Sequence, residues 1–193
     1  LPGEKAHDLM WPSTRFIEEF PHAPENATPA AVLILLYPEQ DKIHFFLTER
    51  SQNVAKHKGQ ISLPGGVREA GEKLQETAVR ETEEEIAVKG ESIKIMGSLT
   101  PFFVPVTGFM VHPFIGYCEK KPPAKALNNE VDALFAVTLD QLLDENLFKK
   151  EKWILRNKNA EVPFFYLNSH KVWGVTGAIL SEFKFILKNS IYV

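Results

Sequence analysis

The chain has 193 residues, 44% of them apolar, and a formal net charge of −3. That is enough apolar material for one globular domain with its own core, and it excludes disorder along the whole length. The absence of a basic excess argues against nonspecific nucleic-acid binding, and the single cysteine, Cys118, can neither close an internal disulfide nor build a cysteine zinc site.

Residues 1–28 are rich in Pro, His and charge and read as an N-terminal extension of a single domain spanning 1–193. Residues 13–20 suit a short helix behind a serine cap. The run PAAVLILLYP, residues 29–38, is continuously apolar and bounded by prolines, which predicts a buried strand. Residues 42–50 read as its hairpin partner across a polar turn. A loop follows, then a short strand near residues 60–63 and a Gly-rich turn at Gly65 and Gly66.

From residue 73 to 86 there is no Gly or Pro and helix formers dominate, which predicts a helix. Strands are expected at residues 92–99, on both sides of Thr107–Gly108 within 102–119, and at 131–137, the last running into a short helix at 139–144. Residues 152–167 read as a hairpin turning at 157–160, and residues 171–189 as a C-terminal helix. No repeat and no long linker divides the chain. A mixed sheet with helices packed on it follows. The longest apolar run, near residues 30–37, is too short to span a membrane. Neither nucleic acid nor membrane is expected as a partner, and a reducing cytoplasm is the expected compartment.

The predicted helix at 73–86 carries four glutamates in the five positions 81–85. At about 100° per residue, Glu81, Glu84 and Glu85 share one face, Glu83 points away, and Ala78, Thr82 and Ile86 fall on a neighbouring face that can pack on the sheet. Carboxylates three and four residues apart repel unless a cation lies between them. Mg²⁺ or Mn²⁺, which take oxygen ligands, would offset that repulsion. A bare glutamate cluster is more often a solvated face. Here its surroundings favour a site: Gly65 and Gly66 allow close backbone approach, and Glu72 can pair with Arg80 to brace the preceding loop against the helix.

The spacing of Gly66, Glu72, Arg80, Glu81, Thr82, Glu84, Glu85, Ala87 and Val88 resembles the signature of the Nudix hydrolases. Every charged position of that signature is matched. Thr82 stands where the pattern has an aliphatic residue. Ala87 stands where it has the glycine that ends the helix, a change costing about 1 kcal/mol if left-handed geometry is kept. The resemblance implies an α/β/α sandwich with a mixed sheet and a loop-helix-loop, and hydrolysis of a nucleoside diphosphate derivative. It also implies that Glu81, Glu84, Glu85 and the Gly66 carbonyl hold Mg²⁺ or Mn²⁺. Glu130 is the candidate for an additional catalytic carboxylate, and a surface position at a strand start is its equal alternative.

Upstream, residues 46–66 resemble the extra signature of the coenzyme A pyrophosphatase branch through Leu47, Thr48, Arg50, Ser51, Gly59, Pro64, Gly65 and Gly66. Ala55 occupies the place of an arginine, with Lys56 next to it. Arg50, Lys56 and His57, with Lys58, are expected to meet substrate phosphates, while His112 and Trp173 are expected to be structural. The substrate implied is coenzyme A or an acyl-CoA. ADP-ribose, NADH or a nucleoside triphosphate is the alternative, and a non-catalytic sensing domain a third, disfavoured by the complete set of carboxylates. Monomer and homodimer both remain open.

Overall fold

The computed structural model describes residues 1–13, 24–51, 59–127, 131–155 and 157–190. The helix expected at 13–20 lies outside these residues beyond Ser13.

Strand β1, Thr28–Glu39, forms the centre of the main sheet. It is sandwiched between two layers, which is why its sequence is apolar almost without interruption. Ala31, Leu33, Leu35 and Tyr37 face one layer with Ala78 and Ile86, while Ala30, Ile34 and Leu36 face the other with Ile179, Leu180 and Phe183. A two-residue turn, Gln40 and Asp41, both at positive φ, leads into the antiparallel partner β2, Lys42–Arg50. Such a turn matches the natural twist of a hairpin.

Three short elements follow: β3, Ile61–Ser62, β4, Gly65–Val67, and helix α2, Leu74–Ile86. The Gly-rich stretch is thus a strand rather than a turn, paired with Ala30–Val32. It fits there because a Cβ on Gly65 would lie 2.2 Å from the Ala31 carbonyl oxygen. β5, Lys94–Ser98, β6, Phe102–Val104, and β7, Phe109–Tyr117, complete one side of the sheet, with β7 running parallel to β1. β8, Val131–Thr138, pairs with β2 and leads into α3, Leu139–Leu143.

A second sheet holds β9, Phe148–Leu155, β10, Lys158–Leu167, and β11, His170–Val172, before helix α4, Gly174–Ser190. The β9–β10 turn falls between Leu155 and Lys158, earlier than expected, because the polar run continues straight into β10. Lys171 and Val172 of β11 fall within the helix expected at 171–189. β11 instead pairs with β10, and the helix starts at Gly174, which has positive φ. The architecture is a mixed sheet with α2 on one face and α4 on the other.

The first thirteen residues anchor to the core through a few buried positions. Helix α1, Glu4–His7, and the single turn Asp8–Met10 pack on α4. Ala6, His7 and Met10 are buried, and Trp11 stacks on Phe102.

Candidate active site

Helix α2 is specified at both ends. The Glu76 carboxylate accepts the Lys73 backbone N–H at 2.9 Å, satisfying a free donor of the first turn. At the other end Ala87 adopts φ 62°, ψ 21°, and its N–H closes on the Glu83 carbonyl. This is the left-handed cap that glycine usually supplies. On the inner face Thr77, Ala78, Thr82, Glu85 and Ile86 are buried, as the helical projection requires. Thr82 resolves its polarity by donating its hydroxyl to the Ala78 carbonyl at 2.7 Å, so its methyl can sit in an apolar contact.

Arg80 organises the outer side. Its Nε donates to Glu72 Oε1 at 2.9 Å, Nη2 donates to Glu72 Oε2 and to the Val67 carbonyl, and Nη1 donates to both Glu81 and Glu84 at 2.9 and 3.0 Å. The loop from β4 to α2 is thereby tied to the helix. Glu72 also accepts the Thr77 hydroxyl at 2.7 Å and the Glu69 N–H at 3.1 Å. The Arg80 hydrogen bonds, assisted by these two donors, hold Glu72 down at about 2 against an ordinary 4.5. Arg80 in turn is raised by its bond to Glu72.

The three glutamates expected to share a face do so, but burial grades them across it. Glu85 is 4% exposed and accepts the Gly65 N–H at 3.2 Å. Glu81 lies against Gly66, where a Cβ would come within 2.4 Å of its carboxylate. Glu84 is outermost, with a side chain 55% exposed. Gly65 and Gly66 therefore matter as backbone that admits two carboxylates closely. Among the described residues, no three His, Cys, Asp or Glu side chains converge as a ready cation cage. Arg80 draws Glu81 and Glu84 towards one nitrogen, while Glu85 turns to β4.

Arg50 ends β2, with its N–H on the Gln60 carbonyl and its carbonyl accepting the Gly59 N–H at 2.9 Å. Lys56, His57 and Glu130 lie outside the described residues. His112 is held below its ordinary value by burial and by the nearby Arg68. Trp173 packs edge-on to Trp153 at 5.1 Å. Sequence reasoning did not find Thr77 or the Val67 carbonyl. Neither sits at a repeating spacing: the Val67 carbonyl is recruited by the path of Arg80 across the loop, and Thr77 by Glu72.

With this geometry in place, comparison with known proteins is informative. The family model described as NUDIX domain matches residues 27–157. Nudix hydrolase 3 of Caenorhabditis elegans is 32% identical over 178 residues, covering 84% of this chain and 74% of that one. An uncharacterized Nudix hydrolase, NudL, of Salmonella newport is 32% identical over 162 residues, 83% of each chain. Among solved structures, the Nudix hydrolase RenU of M. smegmatis superposes with a TM-score of 0.58 at 17% identity, covering 86% of this chain and 88% of that one. A MutT/nudix family protein from Enterococcus faecalis does so with 0.53 at 16% identity, covering 90% and 67%. These two speak for the fold alone. The family match and the relatives together establish that this chain belongs to the Nudix hydrolase family and is an enzyme acting on nucleoside diphosphate derivatives.

Proposed function

We propose that the enzyme hydrolyses the diphosphate bond of coenzyme A or an acyl-CoA, giving 3′,5′-ADP and (acyl) 4′-phosphopantetheine, and that it requires Mg²⁺ or Mn²⁺. The observation that carries the metal requirement is an imbalance of charge. Among the described residues, Glu72, Glu81 and Glu84 all pair with one guanidinium, Arg80, and Glu85 stands beside them on the same helix, accepting the Gly65 N–H. Hard oxygen donors on successive turns of a helix are the chemistry a divalent cation of this kind takes. Glu81, Glu84, Glu85 and the Gly66 carbonyl would hold it, and the missing Cβ of Gly66 leaves the Glu81 carboxylate room. Once bound, the ion supplies charge neutralisation of the diphosphate and a more acidic water.

The protein's own groups do the rest. Arg80 keeps Glu72 and the β4–α2 loop fixed, so the Gly66 backbone stays in register with Glu81. Gly65 donates to Glu85 and orients its carboxylate. The proton of the attacking water passes to one of these carboxylates or to Glu130. Arg50, with Lys56 and His57, binds phosphate. The substrate assignment rests on the pattern of residues 46–66, with its cations placed ahead of Gly65 and Gly66.

A screen of diphosphate substrates with Mg²⁺, Mn²⁺ or chelator, scored by product mass, tests this reading. Coenzyme A is expected to yield 3′,5′-ADP and 4′-phosphopantetheine only with metal. Arg50→Ala is expected to weaken coenzyme A about ten- to hundredfold, the size of one charge-assisted contact. Hydrolysis of ADP-ribose with coenzyme A untouched overturns the substrate assignment. Turnover in chelator equal to that in metal overturns the metal requirement.

A further inference from the structure

We propose that His170 is a substrate-binding residue whose exposed ring face takes the nucleobase of the substrate. The proposal rests on the activity proposed above and extends it to the nucleoside half.

His170 opens β11 and lies flat on Phe135 of β8, with ring centroids 4.4 Å apart and planes 11° from parallel. One face of the imidazole is thus covered, yet its side chain remains 34% exposed. A flat ring capped on one side, still partly exposed and with a polar edge, suits a stacking platform, because every base presents a π-face of its own.

The ring is also held more firmly than capping Phe135 needs. Its Nδ1 donates to the Asn168 carbonyl at 2.6 Å, and a carbonyl can only accept. Asn168 and Ser169 both have positive φ, the mark of a tight two-residue hairpin turn. The Asn168 side chain accepts from Gln141 Nε2 at 2.8 Å and donates to the Ala136 carbonyl of β8 at 2.5 Å. Turn, strand and α3 therefore fix one orientation of the imidazole, and such preorganisation suits a binding group.

Its position points to the same role. Nε2 lies 3.8 Å from Glu49 Oε2, one residue before Arg50. Glu49 is opposite Ile61 on β3, and the chain reaches Gly65 three residues after β3 ends. Phe135 is opposite Leu47, and Arg50 opposite Val131. The Phe135–His170 pair thus flanks the strands that lead to Arg50 on one side and to Gly65 and Gly66 on the other. The proposal places the nucleoside on this wall, beside the strand that carries Arg50 and the strand that precedes Gly65 and Gly66.

The test measures binding of AMP and of ribose 5-phosphate by calorimetry to the wild type, His170→Ala and His170→Phe. Melting curves check that each variant is folded. His170→Ala is expected to weaken AMP about fivefold to a hundredfold, the range for loss of one base–aromatic stack. Ribose 5-phosphate is expected to be unaffected, and His170→Phe to restore AMP binding by restoring the stack. In turnover, the loss falls on KM rather than kcat. Undiminished AMP binding by His170→Ala, an equal loss for ribose 5-phosphate, no AMP binding by the wild type, or a His170→Phe variant as weak as His170→Ala each overturns the proposal. Because binding is read without turnover, this result stands apart from the substrate screen. An enzyme that cuts no coenzyme A can still stack AMP on His170.

Discussion

Glu182 on α4 and the glutamates of α2 are both gathered by hydrogen bonds, but the ratio of carboxylate to donor runs in opposite directions. Glu182 is 0% exposed and accepts from the Gly3 N–H, the Thr100 N–H, the Thr100 hydroxyl and His7 Nε2, all within 2.6–3.1 Å. One carboxylate there meets four donors from three residues in two segments. Around α2, Glu72, Glu81 and Glu84 share Arg80, while Glu72 also takes the Thr77 hydroxyl and Glu85 takes the Gly65 N–H. The first network is closed, as a buried carboxylate must be to persist away from water. The second sets several carboxylates against one guanidinium among the described residues, and its Glu84 side is exposed. A carboxylate that serves stability is saturated by the fold itself, whereas the α2 carboxylates are the set proposed to take a cation.

The contrast can be broken most directly at Glu182. Replacing it with Ala leaves buried donors unpaired and is expected to cost about 3–5 kcal/mol, the range for losing one partner of a buried pair. That is a fall of about 6–20 °C in melting temperature for a chain of this size. Turnover per folded molecule is expected to hold. An unchanged melting curve would remove Glu182 as an anchor of residues 1–13.

Glu85→Gln is the opposite experiment. Turnover with metal is expected to fall about 100- to 1000-fold, a few kcal/mol of transition-state stabilisation, while melting in chelator stays level or rises. Metal at about a hundred times its dissociation constant is expected to stabilise the wild type by about 2.7 kcal/mol and to do less for this variant. Full turnover by folded Glu85→Gln would place it with Glu182 as a structural group.

Glu72 lies between the two classes, since it is a carboxylate at the site but well supplied with donors. Its value is lowered from 4.5 to about 2, so its contribution to stability is present above the higher figure and lost as pH falls towards the lower. Glu72→Gln is expected to cost about 1–3 kcal/mol at neutral pH and to make the loss of stability across that acid window shallower. Melting temperature against pH for both proteins checks this, and parallel curves would count against it.

The smallest effect is expected at Ala87, outside both networks. Ala87→Gly relieves a left-handed alanine and is expected to raise stability by about 1 kcal/mol, or about 2–4 °C, with turnover unchanged.

Much of this site can be read from the sequence because its determinants are local. Glu72 and Arg80 are eight positions apart across one loop and two helical turns, and the structure joins them as expected. The separation of Glu83 from the other glutamates follows from helical pitch, and its carboxylate turns instead to the Gly90 N–H at 3.0 Å. The left-handed residue at 87 is legible through the family resemblance, whose pattern has a glycine at that place. β1 and β2 are legible for a similar reason: a bounded apolar run and a polar turn are properties of a few neighbouring residues.

The sequence by itself determined the family, the helix that carries the glutamates and the salt bridge that braces it, because each depends on spacing within a short stretch. The tertiary structure decided which of those glutamates is buried, that Gly65–Val67 is a strand, that His170 lies on Phe135, and that Lys171 and Val172 belong to a strand rather than to the C-terminal helix. It also drew residues 1–13 into the core through contacts such as Gly3 with Glu182, 179 positions apart. Burial and pairing of this kind depend on which distant segments meet, and no local period in a chain records that meeting.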